Sequence, residues 1–288
     1  MSAKDIRNIV LLGHGGSGKT TLAESMLFMT GGTDRFGKVT DGNTTCDYDA
    51  EEIKRNISIS LAVAPVKYKN VKINVLDTPG NFDFAGEVLS GIRAAECAVL
   101  VCGAKDGLSV GAERAWKMLG NKPRMIFINR TDEENSDYNA CFDALKGKFG
   151  TAIAPIVATK ADANKAVTVI VDLLHNKAYD AKGECAIPGD MADEVEALRA
   201  ELMEAAAGAD VSRGFFAHTL GTELGTGWVR PDGSIPEIPL EVYNFIIDLG
   251  SFPQKQYDAN DVRSINNFNT LLPGTLQTGH CSGGVSPS

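Results

Sequence analysis

The sequence predicts an α/β fold in which a mostly parallel β-sheet carries helices on both faces. Short apolar runs typical of buried parallel strands alternate with segments of helical composition over the first 130 residues or so. Strands that alternate with helices are joined by right-handed crossovers, which makes neighbouring strands parallel. Three of the apolar runs are followed directly by Gly13, Asp77 and Asn129. Ligands bind beyond the carboxyl ends of strands in such sheets, so these three positions predict one binding site.

The elements follow from the apolar pattern in chain order. The first apolar run ends in glycine and is followed by a segment of helical character, and the same alternation then recurs twice. An additional strand is expected at residues 57–63, where apolar residues follow the long polar segment that precedes them. The predicted strands cover residues 8–12, 57–63, 71–76, 98–102 and 125–128, and the predicted helices cover residues 20–29, 84–95 and 113–119.

The character of the sequence changes after about residue 150. Residues 167–174 are compatible with a strand, and residues 191–207 form an acidic amphipathic pattern typical of a helix. We therefore expect residues 1–150 to form a nucleotide-binding domain and residues 151–210 to form a small partial α+β insert. Residues 211–288 are rich in Gly, Pro, Ser, Thr and Asn and stay unassigned, with a disordered tail expected from His280.

Composition excludes several classes of function. A net charge of −9 and a pI near 5.0 argue against broad nonspecific binding to nucleic acid or to anionic membranes, and no sequence-specific DNA binding is expected. No apolar run approaches the length of a membrane helix, and the polar start is unlike a signal peptide. The six cysteines form no C-x-x-C pair, which favours a reduced, cytoplasmic protein over a disulfide scaffold or a zinc site.

The most specific motif is a phosphate-binding loop that runs from Gly13 to Thr20 and matches G-x-x-x-x-G-K-[ST] in full. Its glycines let the backbone N–H groups point at phosphate oxygens, and the next helix adds the positive end of its dipole. Lys19 would reach the β- and γ-phosphates, and the Thr20 hydroxyl would bind Mg²⁺. The predicted nucleotide-binding residues of this loop are His14, Gly15, Gly16, Ser17, Gly18, Lys19, Thr20 and Thr21.

A second motif, Asp77-Thr-Pro-Gly80, ends the next strand. A carboxylate at Asp77 can support Mg²⁺ through a water molecule, and the Gly80 N–H can contact the γ-phosphate and move after hydrolysis. D-x-x-G alone is a weak signal. Its place on a separate strand, 58 residues after Lys19, makes it a strong one.

A third motif, Asn129-Arg-Thr-Asp132, selects the base. The Asp132 carboxylate can accept from the N1–H and the 2-amino group of guanine, a donor pair that adenine lacks, and Asn129 can brace the loop and contact the base. Arg130 keeps a positive charge and an aliphatic stem that can pack on the base. GTP and GDP are therefore the predicted ligands, and an ATPase or a small-molecule kinase is the weaker alternative.

The segment 41–59 lies between the first two motifs and is long and polar. We expect it to be weakly structured until it orders around a γ-phosphate and Mg²⁺. Ser58 offers a hydroxyl for that ion. The alternative is an ordinary surface loop that leads into the next strand.

Taken together, these motifs resemble the GTP-binding domain of elongation factor G and its ribosomal-protection relatives. The likeness is dense over residues 5–150 and also includes Val39-Thr-Asp-Gly-Asn-Thr-Thr-Cys-Asp-Tyr48. It implies a P-loop NTPase fold and a cytoplasmic GTPase that acts on the ribosome with Mg²⁺. It further implies that Lys19 and Gly80 serve catalysis, that Thr20 and Ser58 bind Mg²⁺, and that Asp77 supports the ion.

The chain departs from this family at several positions. Where the family commonly has a His that orients the attacking water, the chain has Asn81, the third predicted catalytic residue. An amide can hold a water molecule but cannot carry a positive charge. A GTP-binding switch with little hydrolysis is therefore an alternative to an active GTPase. The likeness ends at about residue 210, and no convincing counterpart of the family's last guanine-contacting loop follows.

Overall fold

A computed structural model of the chain describes residues 6–150, 153–165, 167–181 and 183–210, with side chains described as far as Met203. Two sheets account for the described strands: a five-stranded sheet of order β2-β3-β1-β4-β5, followed by a four-stranded sheet of order β6-β7-β8-β9. The strands of the first sheet are β1 (Ile6–Leu12), β2 (Ala62–Tyr68), β3 (Val71–Asp77), β4 (Cys97–Gly103) and β5 (Arg124–Asn129).

The first sheet is mostly parallel, as the sequence predicts. β1 pairs in parallel with β3 and β4, and β4 pairs in parallel with β5. β2 is the antiparallel exception and lies at the edge, where it tolerates Pro65 within the strand. Every residue of the interior strand β4 is buried because both faces of the sheet are covered.

Helices cover both faces of this sheet. They are α1 (Lys19–Met29), α3 (Ala85–Ala94), α4 (Val110–Leu119) and α5 (Tyr138–Phe149). On one face, Leu22 and Met26 of α1 pack with Ile9 and Leu11 of β1. The other face buries the alternate β1 residues and the apolar sides of α3, α4 and α5, with a core that includes Val10, Leu12, Ile92, Ala112 and Leu145. The predicted two-layer covering is therefore confirmed.

The second sheet is antiparallel and lies in the region predicted as a small insert. Its strands are β6 (Val157–Ala161), β7 (Val167–Asp172), β8 (Lys177–Asp180) and β9 (Gly183–Cys185), and the helix α6 (Ala192–Asp210) follows. Met191 and Val195 pack on Ala158, Val171 and Ala178 to give this region its own small core. The strand and the helix predicted here are both present.

The segment 41–59 differs from the sequence prediction in two ways. The segment contains the helix α2 (Ala50–Arg55), which begins with a reciprocal capping box between Asp49 and Glu52 and ends at Asn56 in the left-handed conformation. The strand expected at 57–63 begins only at Ala62, because the N–H groups of Ile59 and Ser60 donate to the Glu52 side chain rather than to a neighbouring strand. The segment therefore contains a helix, and its ordering around a γ-phosphate and Mg²⁺ stays a prediction.

No helix within the described ranges is long and apolar enough to cross a bilayer. The five cysteines that the structure describes are free thiols, four of them buried. The unassigned segment 211–288, with its expected disordered tail, lies outside the described residues.

Candidate functional site

The phosphate loop connects the carboxyl end of β1 to the first turn of α1. Gly16 and Gly18 have positive φ angles of 81° and 93°, a region that glycine enters without strain. α1 then begins at Lys19, so its unpaired N–H groups face the concave side of the loop. A side chain at Gly18 is excluded because a Cβ would lie 2.3 Å from Asn129 Nδ2. The loop therefore has the geometry of an anion-binding cradle.

Lys19 lies at the centre of this cradle and is almost fully buried. Its Nζ donates to the backbone oxygens of His14 at 2.9 Å and Gly13 at 3.2 Å. Burial lowers the pKa of Lys19 to about 8, and the negative charges of Asp77 and Asp47 oppose that shift. A buried ammonium whose hydrogen bonds within the described residues go to neutral carbonyl groups is a natural partner for a phosphate, which would add negative charge beside it.

Asp77, Thr20 and Ser58 converge next to Lys19. The hydroxyl oxygens of Thr20 and Ser58 are 3.0 Å apart, although the residues are 38 positions apart in the chain. Asp77 is 1% exposed, and neither of its carboxylate oxygens meets a donor in hydrogen-bond geometry among the described residues. Orphaned carboxylate oxygens beside two hydroxyls are an all-oxygen donor set that fits Mg²⁺. No cluster of three His, Cys, Asp or Glu side chains suited to a metal occurs in the described ranges.

Burial raises the pKa of Asp77 to about 7, an effect that Lys19 and the nearby Thr20 hydroxyl oppose. Because the folded-state pKa lies above the ordinary value of 3.8, this carboxyl stabilises the fold when protonated, at low pH. That contribution is lost as the pH rises through 7.

We expect the free energy of unfolding of Asp77→Asn, relative to wild type, to increase by about 1–3 kcal/mol between pH 5 and pH 8 without nucleotide or Mg²⁺. Asn cannot ionise, so it does not acquire the buried charge that wild type acquires in this window. Loss of the Asp77 charge also lowers the pKa of Lys19. A lower pKa of Lys19 makes the variant more stable as the pH rises, which further increases the difference in unfolding free energy between variant and wild type. Urea unfolding at each pH in EDTA measures it, and a difference independent of pH would contradict the assignment.

The turn after Asp77 lies directly against the phosphate loop. A Cβ on Gly80 would lie 2.6 Å from the Cα and N atoms of Gly15 and 2.7 Å from Lys19 Nζ. The Thr78 hydroxyl, which is fully buried, donates to the Leu11 carbonyl at 2.6 Å and fixes the start of this turn to β1. The two glycines thus allow two backbone segments to meet where a γ-phosphate would lie.

Asn81 is exposed and caps a short 3₁₀ turn over Phe82–Phe84. Its side-chain oxygen accepts from the Asp83 N–H at 3.3 Å. The Phe82 ring lies between His14, at 6.1 Å between ring centroids, and the Arg114 guanidinium, at 4.9 Å. His14 therefore packs beside the second motif.

The third motif begins at the end of β5. Asn129 is buried, and its Nδ2 donates to the Ser17 carbonyl of the phosphate loop at 3.0 Å. Arg130 has a φ of 61° and forms an ion pair with Glu133 at 3.2 Å. Asp132 lies exposed in the following turn, which the Ser136 hydroxyl braces by donating to the Thr131 carbonyl at 2.7 Å. Asn129 therefore couples the turn after β5 to the phosphate loop, and Asp132 is exposed to solvent.

Sequence reasoning missed three buried carboxylates beside these motifs: Glu24, Asp47 and Glu52 are 0%, 5% and 1% exposed. Burial raises the pKa of Asp47, which the Ser58 hydroxyl opposes. For Glu52 a signal exists in the sequence, because Asp49-Ala-Glu-Glu52 has the spacing of a capping box. For Glu24 no local signal exists, since its partners lie more than twenty residues away.

The model of the elongation factor Tu GTP binding domain matches residues 4–205 of the chain. An elongation factor G-like protein of Mycobacterium tuberculosis is 35% identical over 205 residues, which cover 69% of this chain and 28% of that protein. The elongation factor G of Granulibacter bethesdensis is 34% identical over 219 residues, covering 73% and 32%. The mitochondrial ribosome-releasing factor 2 of Anopheles gambiae is 34% identical over 220 residues, covering 73% and 30%.

A solved structure supports the same comparison. A crystal structure of a protein from Thermus thermophilus superposes with a TM-score of 0.68 at 32% identity, covering 77% of this chain and 34% of that chain. The chain spans roughly a third of the length of the relatives and of the solved structure it matches.

Proposed function

Since this chain belongs to the elongation factor Tu GTP-binding domain family, we propose that it binds GTP with Mg²⁺ and hydrolyses it to GDP and phosphate, as an elongation-factor-G-like translational GTPase. One observation carries the proposal. The buried Asp77 carboxylate, without a hydrogen-bond donor among the described residues, lies beside the paired hydroxyls of Thr20 and Ser58. Desolvation of such a buried carboxylate costs several kcal/mol, roughly, and Mg²⁺ beside it would offset that cost together with Lys19.

Each motif has a distinct task in the proposed reaction. The N–H groups of residues 14–21 bind the phosphate oxygens, and Lys19 neutralises the β- and γ-phosphates. Thr20 and Ser58 would ligate Mg²⁺ directly and Asp77 through water. When bound, Mg²⁺ neutralises charge that develops on the phosphate oxygens. The Gly80 N–H would contact the γ-phosphate, and Asn129, Arg130 and Asp132 would hold guanine.

Asn81 is the proposed contact to the attacking water. An amide can orient water through hydrogen bonds, but it neither takes up a proton nor carries positive charge at neutral pH. Its oxygen already accepts from the Asp83 N–H, which leaves less capacity for a water. We therefore propose slow intrinsic hydrolysis that a partner stimulates.

The presence of Asn81 as the proposed contact to the attacking water also favours a second candidate, a GTP-binding switch that hydrolyses little GTP. Binding needs the phosphate loop and the base loop, neither of which involves Asn81. Both candidates place nucleotide in the same site, and they differ only in the fate of the γ-phosphate.

The ribosome is the proposed partner, and the cytoplasm is the proposed location. Both rest on the family, because the matched relatives include elongation factor G and a ribosome-releasing factor. We propose residues 1–150 as the GTP-binding domain and residues 151–210 as its insert. The acidic net charge of −9 leaves contact with ribosomal RNA to local surfaces rather than to the chain as a whole.

We expect ATP at about hundredfold excess to leave labelled GTP bound, because a site that hydrogen-bonds guanine strongly rejects a base without those donors. Equilibrium competition in Mg²⁺ measures this, with unlabelled GTP as the positive control and CTP as a second negative one. Displacement by ATP would support the ATPase or kinase alternative.

Phosphate release, measured with and without ribosomes, then separates the two leading candidates. Stimulated turnover supports the GTPase, and bound GTP that persists in both conditions supports the switch.

A further inference from the structure

Two buried carboxylates hold the segment 44–60, which we call the first switch, by its backbone. Glu24 projects from α1, and its Oε1 accepts from the N–H groups of Thr45 at 2.7 Å and Cys46 at 2.9 Å. Glu52 projects from α2, and its Oε1 accepts from Ile59 at 2.9 Å and Ser60 at 3.0 Å. Each carboxylate therefore takes two successive N–H groups, one pair at each end of the first switch.

The burial of these groups shows that the contacts matter energetically. Glu24 is fully buried and Glu52 is 1% exposed, and a carboxylate is rarely buried without strong partners. Hydrogen bonds to an ionised oxygen are about twice as strong as neutral ones. These hydrogen bonds therefore stabilise the backbone of the first switch in its observed conformation.

The backbone that they hold carries the proposed Mg²⁺ ligand. Ile59, bound by Glu52, directly follows Ser58, whose hydroxyl lies 3.0 Å from that of Thr20. Cys46, bound by Glu24, directly precedes Asp47, which lies close enough to the Ser58 hydroxyl for a favourable interaction. Fixing both ends of the first switch therefore fixes Ser58 against α1.

We propose that Glu24 and Glu52 are positioning residues that hold the backbone of the first switch, so that Ser58 is placed to bind Mg²⁺. The inference rests on the proposed function, since it concerns the ion that accompanies the nucleotide. Residues outside a metal's own ligand set that orient its ligands change metal affinity by about 10–100-fold. Neither carboxylate contacts the nucleotide or the ion in this scheme.

The two side chains differ in a way that supplies matched variants. Glu24 Oε2 is buried and has no partner among the described residues, so an amide in Glu24→Gln can replace that oxygen and keep the acceptor at Oε1. Glu52 Oε2 accepts from the Asp49 N–H at 3.1 Å, so Glu52→Gln loses only that capping contact. The Ala variants remove the paired acceptor at both positions.

The first measurement is amide hydrogen exchange of the full chain without nucleotide. In Glu52→Ala we expect exchange of the Ile59 and Ser60 amides to accelerate at least about tenfold while Thr45 and Cys46 change little, and the reverse in Glu24→Ala. Each variant is the other's control. Equal exchange at all four amides in wild type and variants overturns the proposal.

The second measurement is the Mg²⁺ concentration that half-saturates binding of a slowly hydrolysed GTP analogue. We expect Glu24→Ala and Glu52→Ala to raise it by about tenfold or more, and the Gln variants to stay within about threefold of wild type. Glu51→Ala is the control on the same helix, because Glu51 is half exposed and pairs only with Lys54 and Arg55 among the described residues.

An unchanged Mg²⁺ requirement in both Ala variants overturns the positioning role. If wild type itself binds no GTP analogue, the proposed function fails instead, and hydrogen exchange still decides whether the carboxylates hold the backbone. If an Ala variant does not fold, the Met variant at that position takes its place in the exchange experiment, because Met fills a similar space and also lacks the carboxylate acceptor.

Discussion

Asp132→Asn is expected to weaken GTP binding by roughly 10³-fold and to create a preference for xanthosine triphosphate. The Asp carboxylate offers two acceptors to the N1–H and the 2-amino group of guanine. An Asn amide offers one acceptor and one donor, which match the N1–H and the C2 carbonyl of xanthine. The donor that replaces the second acceptor faces the 2-amino group of guanine, and an unpaired polar contact of this kind costs several kcal/mol, roughly.

Equilibrium binding of GTP, ATP and xanthosine triphosphate to wild type and variant measures the exchange of preference. Glu134→Gln is the matched control, because Glu134 is exposed in the same turn after β5 and also loses one negative charge. An unchanged order of preference in Asp132→Asn would remove Asp132 from the base site. It would leave the phosphate site, built by β1 and β3, unaffected.

The sheet could be predicted from the sequence because its strands are buried on both faces. β4 is apolar at nearly every position, and its period and length mark it as a strand without reference to any partner. The three motifs could be placed for the same reason, since each begins where such a strand ends. Asn129 is an example: it ends β5 as the pattern predicts, its Nδ2 donates to the Ser17 carbonyl of the phosphate loop, and its contact with the base stays a prediction.

The first switch could be predicted only in part. Its polar composition suggests a loop, yet the Asp49–Glu52 capping box starts a helix that the composition hides. The Glu24 contact cannot be derived from local pattern at all, because its partners are backbone N–H groups of residues 45 and 46. Any residue except proline supplies such a group, so the sequence carries no mark of the partner.

The close approach of two backbone segments at Gly80 is a feature that the sequence marks but does not explain. The D-T-P-G pattern marks Gly80 as special, but its physical reason lies in another segment. Gly15 occupies the space where a Gly80 side chain would be, and Lys19 lies on the other side. The glycine is therefore required by the phosphate loop rather than by its own turn.

Gly80→Ala is accordingly expected to lower the rate of GTP hydrolysis, stimulated or intrinsic, by about 100-fold, since displacing reacting groups by about 1 Å costs that much. The Cβ would lie 2.6 Å from backbone atoms of Gly15 and 2.7 Å from Lys19 Nζ, distances that require one of the two segments to move. The backbone atoms of Gly15 cannot move aside as easily as the end of a flexible side chain can. Single-turnover phosphate release at saturating GTP measures the step and separates it from binding.

Gly86→Ala is the matched control for this substitution. Gly86 lies six residues further, within α3, and a Cβ there meets nothing within 4 Å. Ala is also favoured over Gly inside a helix, so this variant should hydrolyse GTP as wild type does and unfold at the same or a higher temperature. If Gly80→Ala hydrolysed GTP at the rate of Gly86→Ala, the turn after Asp77 would not need to meet the phosphate loop, and Gly80 could not be the group that contacts the γ-phosphate.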